Sequence, residues 1–101
     1  MILNSKISSD INQWHIAHDP YGFTQKEDWL SEAEKTEDIL QLQHVYAEGP
    51  ILDVGWYNGI YRAVIVREGN WDEPIETVES ESDKVVADMV YIWLGKYADG
   101  G

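Results

Sequence analysis

Near the N-terminus, three residues have the types and spacing of a metal site: His15 and His18 stand three apart, and Asp19 follows. On a helix that spacing turns both imidazoles toward one side, where a carboxylate could complete the donor set of a divalent ion. A small metal-dependent enzyme using His15, His18 and Asp19 is therefore one reading. The chemistry asks for more than these three. A catalytic zinc centre needs a third well-placed ligand and an open position, and no HExxH and no distant cluster supplies them. The plainer reading is one partly buried and one surface histidine. His44 stands alone.

Other catalytic sets are weaker. Ser5, Ser8, Ser9, Ser31, Ser80 and Ser82 lie in polar stretches or at expected helix caps, with no GxSxG elbow. The glycines are scattered among turns, so no phosphate-cradling loop forms. The absence of cysteine excludes disulfides, thiolate metal sites and thiol nucleophiles. Among the carboxylates, Asp53 is the best candidate for burial, but Arg62 lies one diagonal step away and a structural pair is the expectation. No catalytic residue and no cofactor is expected.

The stronger signal is charge. Nineteen acidic residues face seven basic ones, for a formal net charge of −12. Such a field repels nucleic acid and anionic membranes and attracts basic proteins. The acids are clustered. Glu27, Asp28, Glu32, Glu34, Glu37 and Asp38 share one window with Lys26 and Lys35 at hand; Asp72, Glu73, Glu76, Glu79, Glu81 and Asp83 fill a second that holds no base. A solvated face that aids solubility is the bland explanation. Clustering, however, costs self-repulsion in the fold, and the second window begins beside Trp71 and holds Pro74. Acids around a rigid aromatic are what a surface complementary to a basic patch presents. The expected partner-binding residues are Trp71, Asp72, Glu73, Glu76 and Glu79, with Glu32, Glu34, Glu37 and Asp38 as the competing site. Calcium is not indicated, because the DxDxDG spacing of an EF-hand is missing.

These residues must be carried by a scaffold, and parts of it are written locally. Ile7, Ile11, Trp14 and His18 have helical spacing over 5–18. Asp19-Pro20-Tyr21-Gly22 reads as a turn. Thr24 and Glu27 form a capping-box pattern, predicting a second helix over about 25–36 with Trp29, Leu30 and Ala33 on its buried side. Residues 39–46 could extend that helix, although the alternation of Leu40, Leu42, His44 and Tyr46 favours a strand. Asn58-Gly59 joins two β-rich runs, 51–57 and 60–67, through a two-residue type I′ turn. That turn sets Tyr57 opposite Ile60, Trp56 opposite Tyr61, Val54 opposite Ala63 and Leu52 opposite Ile65. One face of the hairpin is then apolar and belongs to the core. Residues 75–79 read as an edge strand whose charges discourage further pairing. Ser82 or Asp83 caps a closing helix whose stripe is Val85, Val86, Met89, Val90, Trp93, Leu94 and Tyr97.

The expected fold is α+β: two N-terminal helices, a three-stranded antiparallel meander (four-stranded if 39–46 joins it), and a C-terminal helix packed on the sheet. The 101 residues suit one domain with one modest core. The opening MILNSKISSDINQW lacks signal-peptide architecture, and no segment approaches the roughly 18 apolar residues of a membrane span, so a cytoplasmic protein is expected.

The run Ile51-Leu52-Asp53-Val54-Gly55-Trp56-Tyr57, a following strand, Asn70-Trp71-Asp72-Glu73-Pro74 and the closing apolar helix together resemble the small acidic immunity proteins of bacterial polymorphic and contact-dependent-inhibition toxin systems. The resemblance covers about half the chain and implies a role rather than particular residues: binding and blocking a toxin domain, often a nuclease with a basic cleft. A nucleic-acid mimic directed at a DNA- or RNA-binding protein, such as an anti-defence factor, would use clustered carboxylates in the same way.

Overall fold

The computed structural model describes residues 2–46 and 49–99. Among these described residues five strands, β1 (Trp14–His18), β2 (Leu40–His44), β3 (Ile51–Tyr57), β4 (Ile60–Val66) and β5 (Glu76–Ser80), form one antiparallel sheet in the order β1-β2-β3-β4-β5. One α-helix, α1 (Asp83–Lys96), follows the sheet, and a short 3-10 helix (Ser9–Gln13) precedes it.

The central hairpin has the expected register at every pair named above. Asn58 and Gly59 have φ of 51° and 91°, the positive values a type I′ turn demands. Leu52, Val54, Ala63 and Ile65 are fully buried on the inner face, with Tyr61 nearly so and Trp56 at its rim. The closing helix also stands as expected. Ser82 Oγ accepts from the Val85 amide as N-cap, and Val86, Ala87, Val90, Trp93 and Leu94 are buried. One member of the expected stripe, Val85, is exposed, and Met89 packs against the core while only partly buried. β5 occupies one edge of the sheet, as its charges require.

The two N-terminal helices are not there, and the sheet is larger than a three- or four-stranded meander. Residues 9–13 make the 3-10 helix, its start capped by Ser8, and the chain then enters β1. Burial of Trp14 explains the switch. Paired with His44, its ring sits 5.4 Å edge-on to that imidazole, and its indole N–H donates to the Leu94 carbonyl at 3.3 Å. Helical spacing of Ile7, Ile11 and Trp14 is met equally well by a single turn leading into a strand.

Residues 25–36 form successive turns and bends. The local chemistry that promised a helix is spent on other contacts. Asp19 accepts the Phe23 amide at 2.7 Å, Gly22 O accepts from Gln25 and Lys26, and Glu27 takes the Ser5 hydroxyl at 2.8 Å instead of closing a capping box. Burial of Phe23, Trp29, Leu30, Ala33 and Ile39 outweighs helix propensity here. Asn4 and Tyr91 tie the segment down. The Asn4 amide donates to Phe23 O and Tyr91 Oη, and the Trp29 indole also donates to Tyr91 Oη.

The inner face of the sheet is thus covered by α1, the 3-10 turn and the irregular 19–39 segment, which share one core. Among the described residues no helix is long and apolar enough to cross a membrane.

Candidate functional site

The outer face of the sheet carries a different set of side chains. Strand pairing aligns His18, Gln41, Asp53, Val64 and Thr77 in one row from β1 to β5. A bulge between Ile16 and His18 brings His18 into that row. Beside it, Arg62 stands directly opposite Glu79, and Tyr57 opposite Ile60.

A depression of about 320 Å³ opens on this face, lined by Asp38, Gln41, Asp53, Tyr57, Arg62, Val64 and Trp71. It adjoins a smaller one of about 240 Å³ lined by His18, Asp38, Leu40, Gln41 and Asp53. Two loops build the rims. The first is 36–38, held against β3 because residue 55 is glycine: a Cβ there would lie 2.3 Å from the Glu37 carbonyl oxygen. Trp56 N–H donates to Thr36 O at 2.8 Å, Tyr57 O–H to Glu37 O at 3.2 Å, and Ile39 N–H to Val54 O at 3.0 Å. These bonds bring Asp38 over the sheet. The second rim is the loop after β4. Glu68 and Gly69 take positive φ, the Trp71 amide donates to Gly69 O at 3.0 Å, and the Trp71 ring, 47% exposed, walls the depression.

The electrostatics centre on Asp53. Burial pushes its pKa up; the Gln41 side-chain amide, donating to Oδ2 at 3.1 Å, offsets part of this, the Asp38 charge adds to it, and His18 and Arg62 oppose it. The Tyr57 phenol is also raised, first by burial and then by Asp53, Glu37 and Asp38. Perturbed groups gathered in a cleft mark a candidate functional site. Arg62 lies 4.0 Å from Glu79, not paired with Asp53 as expected. A directly opposed neighbour on β5 outcompetes a diagonal one on β3.

The expected partner-binding residues are divided by this geometry. Asp38 from the first acidic window and Trp71 beside the second line one depression, and Glu79 flanks it through Arg62. Asp72 and Glu73 are exposed in the loop beyond Trp71, and Glu32, Glu34 and Glu37 are exposed in the 31–38 segment. Glu76 points the other way. It sits opposite the core residue Ile65, where its carboxylate accepts from Tyr97 Oη and pairs with Lys96 at 2.9 Å. Gln41, Tyr57 and Val64 belong to the site without having been singled out.

His15 and His18 share the outer face through their partners Gln43 and Gln41, but Asp19 does not join them, its carboxylate being bound to the Phe23 and Thr24 amides. Among the described residues no three His, Asp or Glu side chains come together as a metal site.

Compared with protein-family models, curated proteins and solved structures, the chain matches none.

Proposed function

We propose that this chain is a protein-binding inhibitor of the immunity-protein kind, which neutralises a basic toxin domain, a nuclease in the first instance, by covering its active-site cleft. It acts stoichiometrically, without catalysis and without a cofactor. The observation that carries this reading is the open outer sheet face, where Asp38 of the first acidic window and Trp71, next to the second, rim one depression with Glu79 flanking it through Arg62. Exposed acids around it supply long-range attraction to a basic surface, and a half-exposed tryptophan supplies the anchor. The net charge of −12 gives the attraction its sign. The resemblance to immunity proteins, drawn from the β3 run and the Asn70–Pro74 segment, agrees with the same role.

The test is capture from the native source at low salt, followed by assay of what co-purifies. The reading requires a basic protein, bound one to one, whose own activity is suppressed by one equivalent of this chain. A co-purifying protein that is acidic, or that stays active when saturated, contradicts it.

A further inference from the structure

We infer that the depression between Asp53, Asp38 and Trp71 is a receptor for one guanidinium group, an arginine side chain of the partner. This rests on the inhibitor reading for the source of the arginine, but the pocket's chemistry stands on its own geometry.

The depression is about 320 Å³, at the small end for ligand pockets, so it suits one long side chain rather than a helix or strand. Its floor is anionic. Asp53 Oδ2 is engaged by Gln41, and Oδ1 accepts no hydrogen bond among the described residues. Asp38 brings a second carboxylate to the same space. Arg62 is the base in the lining, and Glu79 faces it from β5 at 4.0 Å; His18 stands at the neighbouring depression, with Nε2 3.2 Å from the Asp38 carbonyl oxygen. Val64, Tyr57 and Trp71 complete the lining with one aliphatic and two aromatic side chains.

Carboxylates beside aromatic side chains in one depression favour a cation. Between the two biological cations the pocket favours guanidinium. That group is planar and weakly hydrated, stacks on an indole or phenol, and donates in a fork that a carboxylate can receive. An ammonium is compact and strongly hydrated, and would leave the aromatic walls without a stacking partner. An arriving guanidinium also places a cation beside half-buried Asp53, whose burial Gln41, His18 and Arg62 offset only in part.

The experiment is an NMR titration of the ¹⁵N-labelled chain with N-acetyl-arginine amide. The expected result is saturable shifts confined to the Gln41 side-chain amide, the Asp53 and Tyr57 backbone amides and the Trp71 indole N–H. N-acetyl-citrulline amide, which has the shape without the charge, should leave these signals in place, and N-acetyl-lysine amide should bind more weakly. Asp53→Asn keeps the side-chain shape and should weaken binding by about tenfold or more; Trp71→Ala, at an exposed position, should weaken it without touching the core.

Equal responses to arginine and citrulline, or to arginine and lysine, would overturn the assignment, as would unsaturable shifts over both acidic windows or unchanged binding in Asp53→Asn. The two proposals fail separately. A partner inhibited equally by wild type and Asp53→Asn removes the guanidinium receptor and leaves the inhibitor. Specific arginine binding, with no basic partner inhibited, does the reverse.

Discussion

Gln41 Nε2 donates to Asp53 Oδ2 at 3.1 Å across a directly opposed pair of neighbouring strands. Among the described residues it is the sole side-chain hydrogen bond to a carboxyl whose pKa burial holds above its ordinary value. The fold therefore half-buries a carboxyl whose ionised form it only partly compensates, on the face that is open to a partner.

This has a direct consequence for stability. The folded chain holds the Asp53 proton more tightly than the unfolded chain, so stability falls as pH rises through the window between the ordinary carboxyl pKa and the raised one. The cost is fully present above that raised pKa. Asp53→Asn should raise Tm there by on the order of a few degrees. The gain should shrink as pH falls through that same window, as thermal denaturation across pH would show.

Glu76 predicts the opposite sign. The Tyr97 hydroxyl first, and Lys96 with it, hold its carboxyl below the usual range. Its stabilising contribution is present above the unfolded pKa and is lost as pH falls through the lowered one. Glu76→Gln should reduce Tm at neutral pH, with the difference from wild type closing on acidification. Because Glu76 lies on the helix side of the sheet, the same variant should leave the NMR signals of Gln41 and Trp71 in place.

Gly55→Ala tests how Asp38 is positioned. The new methyl would meet the Glu37 carbonyl at 2.3 Å and the Tyr57 ring at 2.8 Å, and the first of these is backbone. The 36–38 segment must move, at a cost of about 1–3 kcal/mol. Amide shifts at Thr36, Glu37 and Asp38, together with lowered stability in denaturant, are the expected signature.

Trp93 is 1% exposed in the core beneath α1. Trp93→Ala should cost about 3–5 kcal/mol, read as a fall in the denaturation midpoint. Near-wild-type stability would place that ring outside the core.

The hairpin, its register and the closing helix were legible because each depends on neighbours in sequence: Asn58-Gly59 sets the turn, and Ser82 caps a continuous apolar stripe. The N-terminal half was not. Of its capping-box residues, Thr24 donates its amide to Asp19 and Glu27 accepts from Ser5, and its large rings are fixed by Asn4 and Tyr91, which no local pattern reveals. The site divides along the same line. Trp71 and Asp38 stood out by type and charge. Gln41 did not, since its role depends on β2 pairing with β3, and residues 39–46 left helix and strand open. Asp53 was visible, but its pairing was misassigned to Arg62, because only the β4–β5 register shows that Glu79 stands opposite that arginine.

The most direct test of the central claim is the kinetics of inhibition of the co-purified basic partner by the wild-type chain, by Asp72→Asn/Glu73→Gln and by Trp71→Ala, at low and physiological salt. Exposed acids act through a field screened over about 8 Å at physiological ionic strength, so added salt and the double variant should slow association. Trp71→Ala should instead speed dissociation, at a cost of about 2 kcal/mol or more. Inhibition that is indifferent to salt and unchanged in both variants would contradict the account, and would assign these acids to solubility alone.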